Sequence, residues 1–235
     1  MFTLNYKVTT SCCDENGKLK LYSALQMMQD CSEMWINTEA GVKKYFEENG
    51  MAQLLVFRQV EVNRVPAYGE DLTVTTSVYG MKPMFGFRNT VIRDADGNPC
   101  YTTWSMGAFV DMSTGKLSRI PAEVLATMNL DPQVEMVEYK DRRVFMPKEN
   151  IVAREPYKVM RNDIDYNKHV NNANYVRIAQ EFLPDGWDVK SMRVEFRIPA
   201  KMGDTLAIDT AEENGKFYVD IKVDGNSSTL VEFEK

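Results

Sequence analysis

Histidine is almost missing from this sequence: 235 residues hold one imidazole, His169. Any histidine-based acid–base chemistry near neutral pH must therefore run through that residue. Cysteine is scarce as well. Cys12, Cys13, Cys31 and Cys100 form no CxxC pair and lie far in sequence from the histidine. That argues against a metal site and leaves reduced thiols as the expectation. No apolar run approaches the roughly 20 residues of a membrane span. The opening Met1-Phe2-Thr3-Leu4-Asn5-Tyr6 has no basic region followed by an apolar stretch, so a cytoplasmic protein is expected. Nor is there a cationic excess: 28 Lys and Arg against 34 Asp and Glu give a net charge of −6. This argues against a nucleic-acid binder that works by overall charge.

The histidine has polar company. Asp165-Tyr166-Asn167-Lys168-His169-Val170-Asn171-Asn172 crowds acids and amides just ahead of an amphipathic stretch. Buried, such a run must satisfy its own hydrogen bonds. From these residues alone two readings stand side by side: an Asp- and Asn-rich turn that caps a helix, or an acid–base site. A local basic run, Lys140, Arg142, Arg143, Arg154, Lys158, Arg161 and Lys168, surrounds the loop in sequence; it is either a solvated face or a docking patch.

The chain repeats itself. Tyr6-Lys7-Val8 recurs as Tyr157-Lys158-Val159, and at the same offset of 151 Asp14 falls on Asp165 and Asn16 on Asn167. Arg64-Val65-Pro66-Ala67 resembles Arg197-Ile198-Pro199-Ala200 at an offset of 133, followed in each case by a Gly and an acid. About 18 extra residues are then expected in the first copy, around Asn37 to Met51. Lys18 stands where the second copy has His169.

Each copy reads as a short strand, one helix and several strands, an α+β pattern. Leu21, Leu25, Met28, Ser32 and Trp35 recur at helical spacing, with Ser23 and Gln26 resembling a capping box. In the second copy Asn171 or Asn172 is the expected N-cap and Pro184-Asp185-Gly186 the stop. Asn214-Gly215 and Asp224-Gly225 read as hairpin turns. The expected division is 1–124, a linker over 125–150 with a short helix entered near Pro121, and 151–235.

These residues resemble the acyl-ACP thioesterases. Asp165, Asn167, His169, Val170, Asn171, Asn172 and Tyr175 carry the Asp-x-Asn-x-His-Val-Asn-Asn-x-x-Tyr pattern. Val62 to Gly69 and Leu117 to Pro121 support it in the first half, so the likeness runs from about residue 4 to 233. The resemblance implies a tandem, or double, hotdog fold, each unit a helix packed on a long antiparallel β-sheet. It implies hydrolysis of the thioester between a fatty acyl chain and acyl carrier protein, with no cofactor. Asp165, Asn167 and His169 would be catalytic, with Asn171, Asn172, Glu181 and Glu195 as possible support. Met27, Met28, Met34, Trp35, Met81, Met84 and Phe85 would line the acyl slot of the first copy, methionine adapting to irregular apolar shapes. The carrier would be the partner, and the protein a monomer acting as a pseudo-dimer or a homodimer. Plant members carry a glutamate and a cysteine where this chain has Pro199 and Ala200. Other readings compatible with the pattern are an acyl-CoA thioesterase, a 3-hydroxyacyl-thioester dehydratase or hydratase, and a non-catalytic acyl-binding module.

Overall fold

A computed structural model describes residues 1–235. The chain forms β1 (Phe2–Lys7), α1 (Leu21–Met34), α2 (Ala40–Asn49), β2 (Met51–Val62), β3 (Asp71–Lys82), β4 (Phe85–Arg93), β5 (Pro99–Asp111), β6 (Lys116–Leu117) and α3 (Ala122–Leu125). It continues through β7 (Val152–Lys158), α4 (Asn172–Gln180), β8 (Ser191–Phe196), β9 (Thr205–Glu213), β10 (Lys216–Val223) and β11 (Asn226–Glu234). No helix is long and apolar enough to cross a membrane. The chain divides into two compact units: residues 1–56 with 62–139, and residues 57–61 with 140–235.

In the first unit β1, β3, β4 and β5 form an antiparallel sheet in that order, with β6 beside β5. Helix α1 lies on β3 and β4. Cys31 Sγ donates to the Val74 carbonyl at 3.2 Å, and Ser32 Oγ sits 3.4 Å from Thr76 Oγ1 and 3.3 Å from Thr90 Oγ1. Trp35, Val42, Val78 and Met128 form an apolar cluster between helices and sheet. Gly50 ends α2 in the left-handed conformation (φ 60°), its N–H on the Phe46 carbonyl, the backbone geometry that glycine adopts without a Cβ clash.

In the second unit the order is β8, β11, β10, β9, β7, all antiparallel, and Phe57 to Glu61 of β2 pair with the free side of β8. Asn214 and Gly215 have φ 52° and 74°, Asp224 and Gly225 48° and 76°. Positive φ at both central positions is what a two-residue hairpin requires to match strand twist. Helix α4 packs on β8 through Tyr175, whose ring lies 6.1 Å from that of Phe196.

The internal repeat is real and its register sharper than the sequence suggested. The helices α1 and α4 begin at Leu21 and Asn172, an offset of 151. From Asn63 to Glu70 the backbone bonds coincide with those from Arg197 to Asp204 at an offset of 134. Val8 N donates to Glu70 O as Val159 N does to Asp204 O, and Arg64 N to Cys100 O as Ile198 N does to Ser228 O. The match of Arg64-Val65-Pro66-Ala67 at 133 is therefore one residue out of register: Pro66 corresponds to Ala200. Between its first helix and that stretch the first copy is longer by 17 residues, and α2 lies there. A second correction concerns Ser23. Helix α1 starts three residues earlier than a Ser23 cap would place it, with Lys20 at the N-cap and no side-chain cap, so Ser23 is a buried interior residue.

Candidate active site

Strand β7 runs into a 3-10 turn, Arg161–Asp163, and the chain then makes a tight excursion from Ile164 to Val170 before entering α4. Asp165 organises it. Its N–H meets the His169 carbonyl at 3.0 Å, its own carbonyl accepts from Lys168 N at 3.0 Å, and its Oδ1 accepts from Asn167 N at 2.9 Å. The carboxylate thus braces the turn through the Asn167 main chain. Lys168 sits in the left-handed region at φ 65°, where the first unit has Gly17 at φ 70°. Asn167 is exposed, and Asp165 and His169 are half-buried.

Helix α4 starts at the end of this loop. Asn171 is its cap: Oδ1 accepts from Ala173 N at 2.9 Å, and Asn174 N bonds the Asn171 carbonyl at 2.9 Å. Asn172 is the first helical residue, half-buried. The positive end of the helix dipole faces the histidine loop, which favours developing negative charge there.

Val170, next to the histidine, donates its N–H to the Ala200 carbonyl at 2.9 Å, and Ala200 N donates to Tyr175 Oη at 2.7 Å. Position 200 is therefore beside the loop, and it offers a buried methyl and its backbone, with no nucleophile or acid. Burial pushes the Tyr175 hydroxyl above its ordinary range; bonds from Ser228 and Ala200 oppose that, and the charges of Asp204 and Asp165 add to it.

The two acids expected to assist lie elsewhere. Glu181 is exposed at the far end of α4, about 14 Å along the axis from Asn172 at 1.5 Å per residue. Glu195 accepts from Arg197 Nη2 at 2.8 Å and from Val144 N at 3.3 Å. It alternates along β8 with Phe196, the residue that meets α4, and so points to the other face of the sheet.

Residues the sequence reading passed over hold the loop in place. Asp163, 3% exposed, accepts at Oδ2 from Tyr157 Oη (2.9 Å) and Met160 N (2.8 Å), and at Oδ1 from Arg177 Nη2 (2.6 Å). Its carbonyl accepts from Asn171 N (2.8 Å) and Asn174 Nδ2 (3.0 Å). The signal was present in the repeat: Asp163 and Arg177 stand where the first copy has Cys12 and Gln26.

Of the acyl-slot candidates, all in the first unit, Met27, Met28 and Trp35 are buried, and Met81 packs against the cluster containing Trp35. The Arg88 guanidinium lies 4.4 Å from the Trp35 ring. Met84 and Phe85 are half-buried at the β3–β4 turn. Met34 is 46% exposed and stands outside that core. Among the basic residues, Lys140 is tied to Glu234 and Arg154 bonds Thr210, whereas Lys158, Arg161 and Lys168 are exposed in the neighbourhood of the loop.

The sequence matches the family model for the acyl-ACP thioesterase N-terminal domain over residues 1–128 and that for the acyl-ACP thioesterase C-terminal domain over 147–234. It is 25% identical over 182 residues to the chloroplastic acyl-[acyl-carrier-protein] hydrolase FATB1 of Cuphea viscosissima, covering 72% of this chain and 43% of that protein. It is 28% identical over 150 residues to a chloroplastic palmitoyl-acyl carrier protein thioesterase of Cuphea hookeriana, covering 59% and 36%. The chain thus spans under half the length of these curated relatives. In structure it superposes on an acyl-ACP thioesterase from Bacteroides thetaiotaomicron with a TM-score of 0.87 at 19% identity, covering 99% of this chain and 96% of that one. The 12:0-ACP thioesterase from Umbellularia californica gives 0.84 at 18%, with coverage of 99% and 96%. The fold is accordingly the hotdog fold of these structures.

Proposed function

Because the chain belongs to the acyl-ACP thioesterase family, we propose that it hydrolyses the thioester joining a fatty acyl chain to the phosphopantetheine arm of acyl carrier protein, releasing the free fatty acid and the carrier thiol. The observation that carries this reading is the placement of the sole imidazole. His169 ends a braced loop at the N-terminus of α4, whereas the same loop in the first unit holds Lys18.

His169 takes a proton from water as the water oxygen attacks the carbonyl carbon. The resulting oxyanion is stabilised at the helix N-terminus and by the Asn167 amide. The C–S bond then breaks, and His169 returns the proton to the departing thiolate. Asp165 keeps the turn that presents both side chains. With Ala200 beside the loop, the strand supplies no covalent nucleophile, so water attacks directly. Residues 151–235 carry this chemistry, residues 1–124 hold the acyl chain against α1 and its sheet, and 125–150 link them. Exposed Lys158, Arg161 and Lys168 meet the acidic carrier. We place the protein in the cytoplasm, as a monomer acting as a pseudo-dimer or as a homodimer.

Steady-state assays with acyl-ACP, acyl-CoA and 3-hydroxyacyl thioesters test the reading. Acyl-ACP should give the highest kcat/KM, and a clear preference for CoA would refute it. His169→Ala should lower turnover by about 100-fold or more, and Asp165→Ala, which removes the acceptor of the Asn167 N–H, should lower it as well; wild-type rates in both would leave an acyl-binding module.

A further inference from the structure

Asp163 lies outside the proposed chemistry, yet the loop closes on it. The chain leaves the 3-10 turn at Asp163 and returns at Asn171, whose N–H is fixed on the Asp163 carbonyl at 2.8 Å. Arg177, on the second turn of α4, reaches back with one Nη2 to Asp163 Oδ1 at 2.6 Å and Tyr157 Oη at 3.0 Å, while its Nε meets Asn174 Oδ1 at 3.3 Å. The carboxylate side chain is 4% exposed and the arginine 32%. End of strand, 3-10 turn and helix are thereby locked to one carboxylate.

The first unit supplies an internal control. At the offset of 151, Cys12, Ser23 and Gln26 replace Asp163, Asn174 and Arg177, while Tyr6 matches Tyr157. The backbone is held alike: Lys20 N donates to the Cys12 carbonyl at 3.0 Å, as Asn171 N does to that of Asp163. Cys12 Sγ accepts from Thr9 N at 3.1 Å, as Asp163 Oδ2 does from Met160 N. The same strand–turn–helix is therefore built without the carboxylate–guanidinium pair, the Tyr6 hydroxyl bonding Asp30 of α1 instead. A buried ion pair gives little net stability over a neutral replacement, because desolvation offsets the attraction. Its occurrence only in the unit that bears the imidazole calls for another reason. We infer that Asp163 and Arg177 are a positioning pair, which fixes the His169 loop and the N-terminus of α4 relative to each other. Neither touches the reacting atoms; both act through the loop.

The inference rests on the proposed hydrolysis for its kinetic arm and is independent of it for its spectroscopic arm. The test variant carries the first unit's residues, Asp163→Cys, Asn174→Ser and Arg177→Gln. With one histidine in the chain, a histidine-labelled sample gives a single imidazole signal by NMR. The variant should stay folded, lose up to about 100-fold in kcat on acyl-ACP from a displaced group, keep KM within about twofold, and show a shifted and broadened imidazole signal. Wild-type kcat with an unchanged imidazole signal would overturn the inference. Should the triple variant not fold, Arg177→Lys, which keeps the charge and loses the planar fork, is read the same way: a smaller loss of kcat with a displaced signal supports the pair, and no change in either overturns it. If the wild-type protein leaves acyl-ACP intact, the hydrolysis reading fails, and the imidazole signal alone decides on positioning.

Discussion

Replacing Arg177 by glutamine strips a buried carboxylate of its cation. The Asp163 carboxylate keeps two donors, the Tyr157 hydroxyl and the main-chain N–H of Met160. Removing one partner of a buried pair costs about 3–5 kcal/mol. The retained donors and the partial exposure of Arg177 put this case at the low end, about 3 kcal/mol. At roughly 2–4 °C per kcal/mol for a chain of this size, Tm should fall by about 6–12 °C. Adding Asp163→Cys and Asn174→Ser removes the orphaned charge, so the triple variant should recover most of the loss although it carries more substitutions. Urea unfolding and scanning calorimetry on the wild type, Arg177→Gln and the triple variant measure both steps. The reasoning fails if Arg177→Gln alone is neutral, or if the further substitutions deepen the loss.

Two more outcomes follow from other parts of the structure. Glu232, 2% exposed, takes a fork from Arg193 at 2.8 and 2.6 Å. Burial alone would raise its carboxyl, but the Arg193 bonds and the charges of Arg193 and Lys216 outweigh it and hold the group below 4.5. A depressed folded value means stability that is present above the unfolded value and lost as pH falls through the folded one. Stability of the wild type measured by urea unfolding should therefore drop on acidification below about pH 4.5, and Glu232→Gln should be less stable at neutrality and show a shallower acid drop. Equal slopes would contradict this. In the first unit, a Cβ on Gly107 would stand 2.4 Å from Gln53 Nε2 and 2.6 Å from its Cγ. Gly107→Ala should cost about 1–3 kcal/mol by overcrowding, and a shift to Gln53→Ser in the same chain should restore it in thermal unfolding.

Much of this was legible before any coordinates. Helical periodicity located α1, because the 3.6-residue repeat reports burial directly, and the Asn-Gly and Asp-Gly pairs located two hairpins. Asn171 was legible as a cap because its side chain bonds locally. Ser23 misled because the same Ser-x-x-Gln spacing occurs inside a helix; the start of α1 is set instead by Leu19, whose N–H is pinned to the Pro66 carbonyl. The similarity of Arg64-Val65-Pro66-Ala67 to Arg197-Ile198-Pro199-Ala200 concealed a one-residue slip that only ladder bonds resolve. Of the site, the Asp165–His169 loop was plain in the sequence. The support of Asp163 by Tyr157 and Arg177 was not, since it joins a strand, a turn and a helix through side chains. Glu195 was an expected helper, and strand alternation along β8 turns it away.

The second unit borrows Phe57 to Glu61 for the strand beside β8, while the rest of its sheet is contiguous from residue 140 onward. Its hairpins are local and quick to form, but its last pairing waits on a segment made long before. A fragment beginning near residue 140 would leave the Ser191–Glu195 side of β8 as an open edge, with unpaired N–H and C=O groups that recruit other strands. Separating the two halves genetically should therefore yield a C-terminal piece that aggregates unless the residues around Phe57 to Glu61 are supplied in trans.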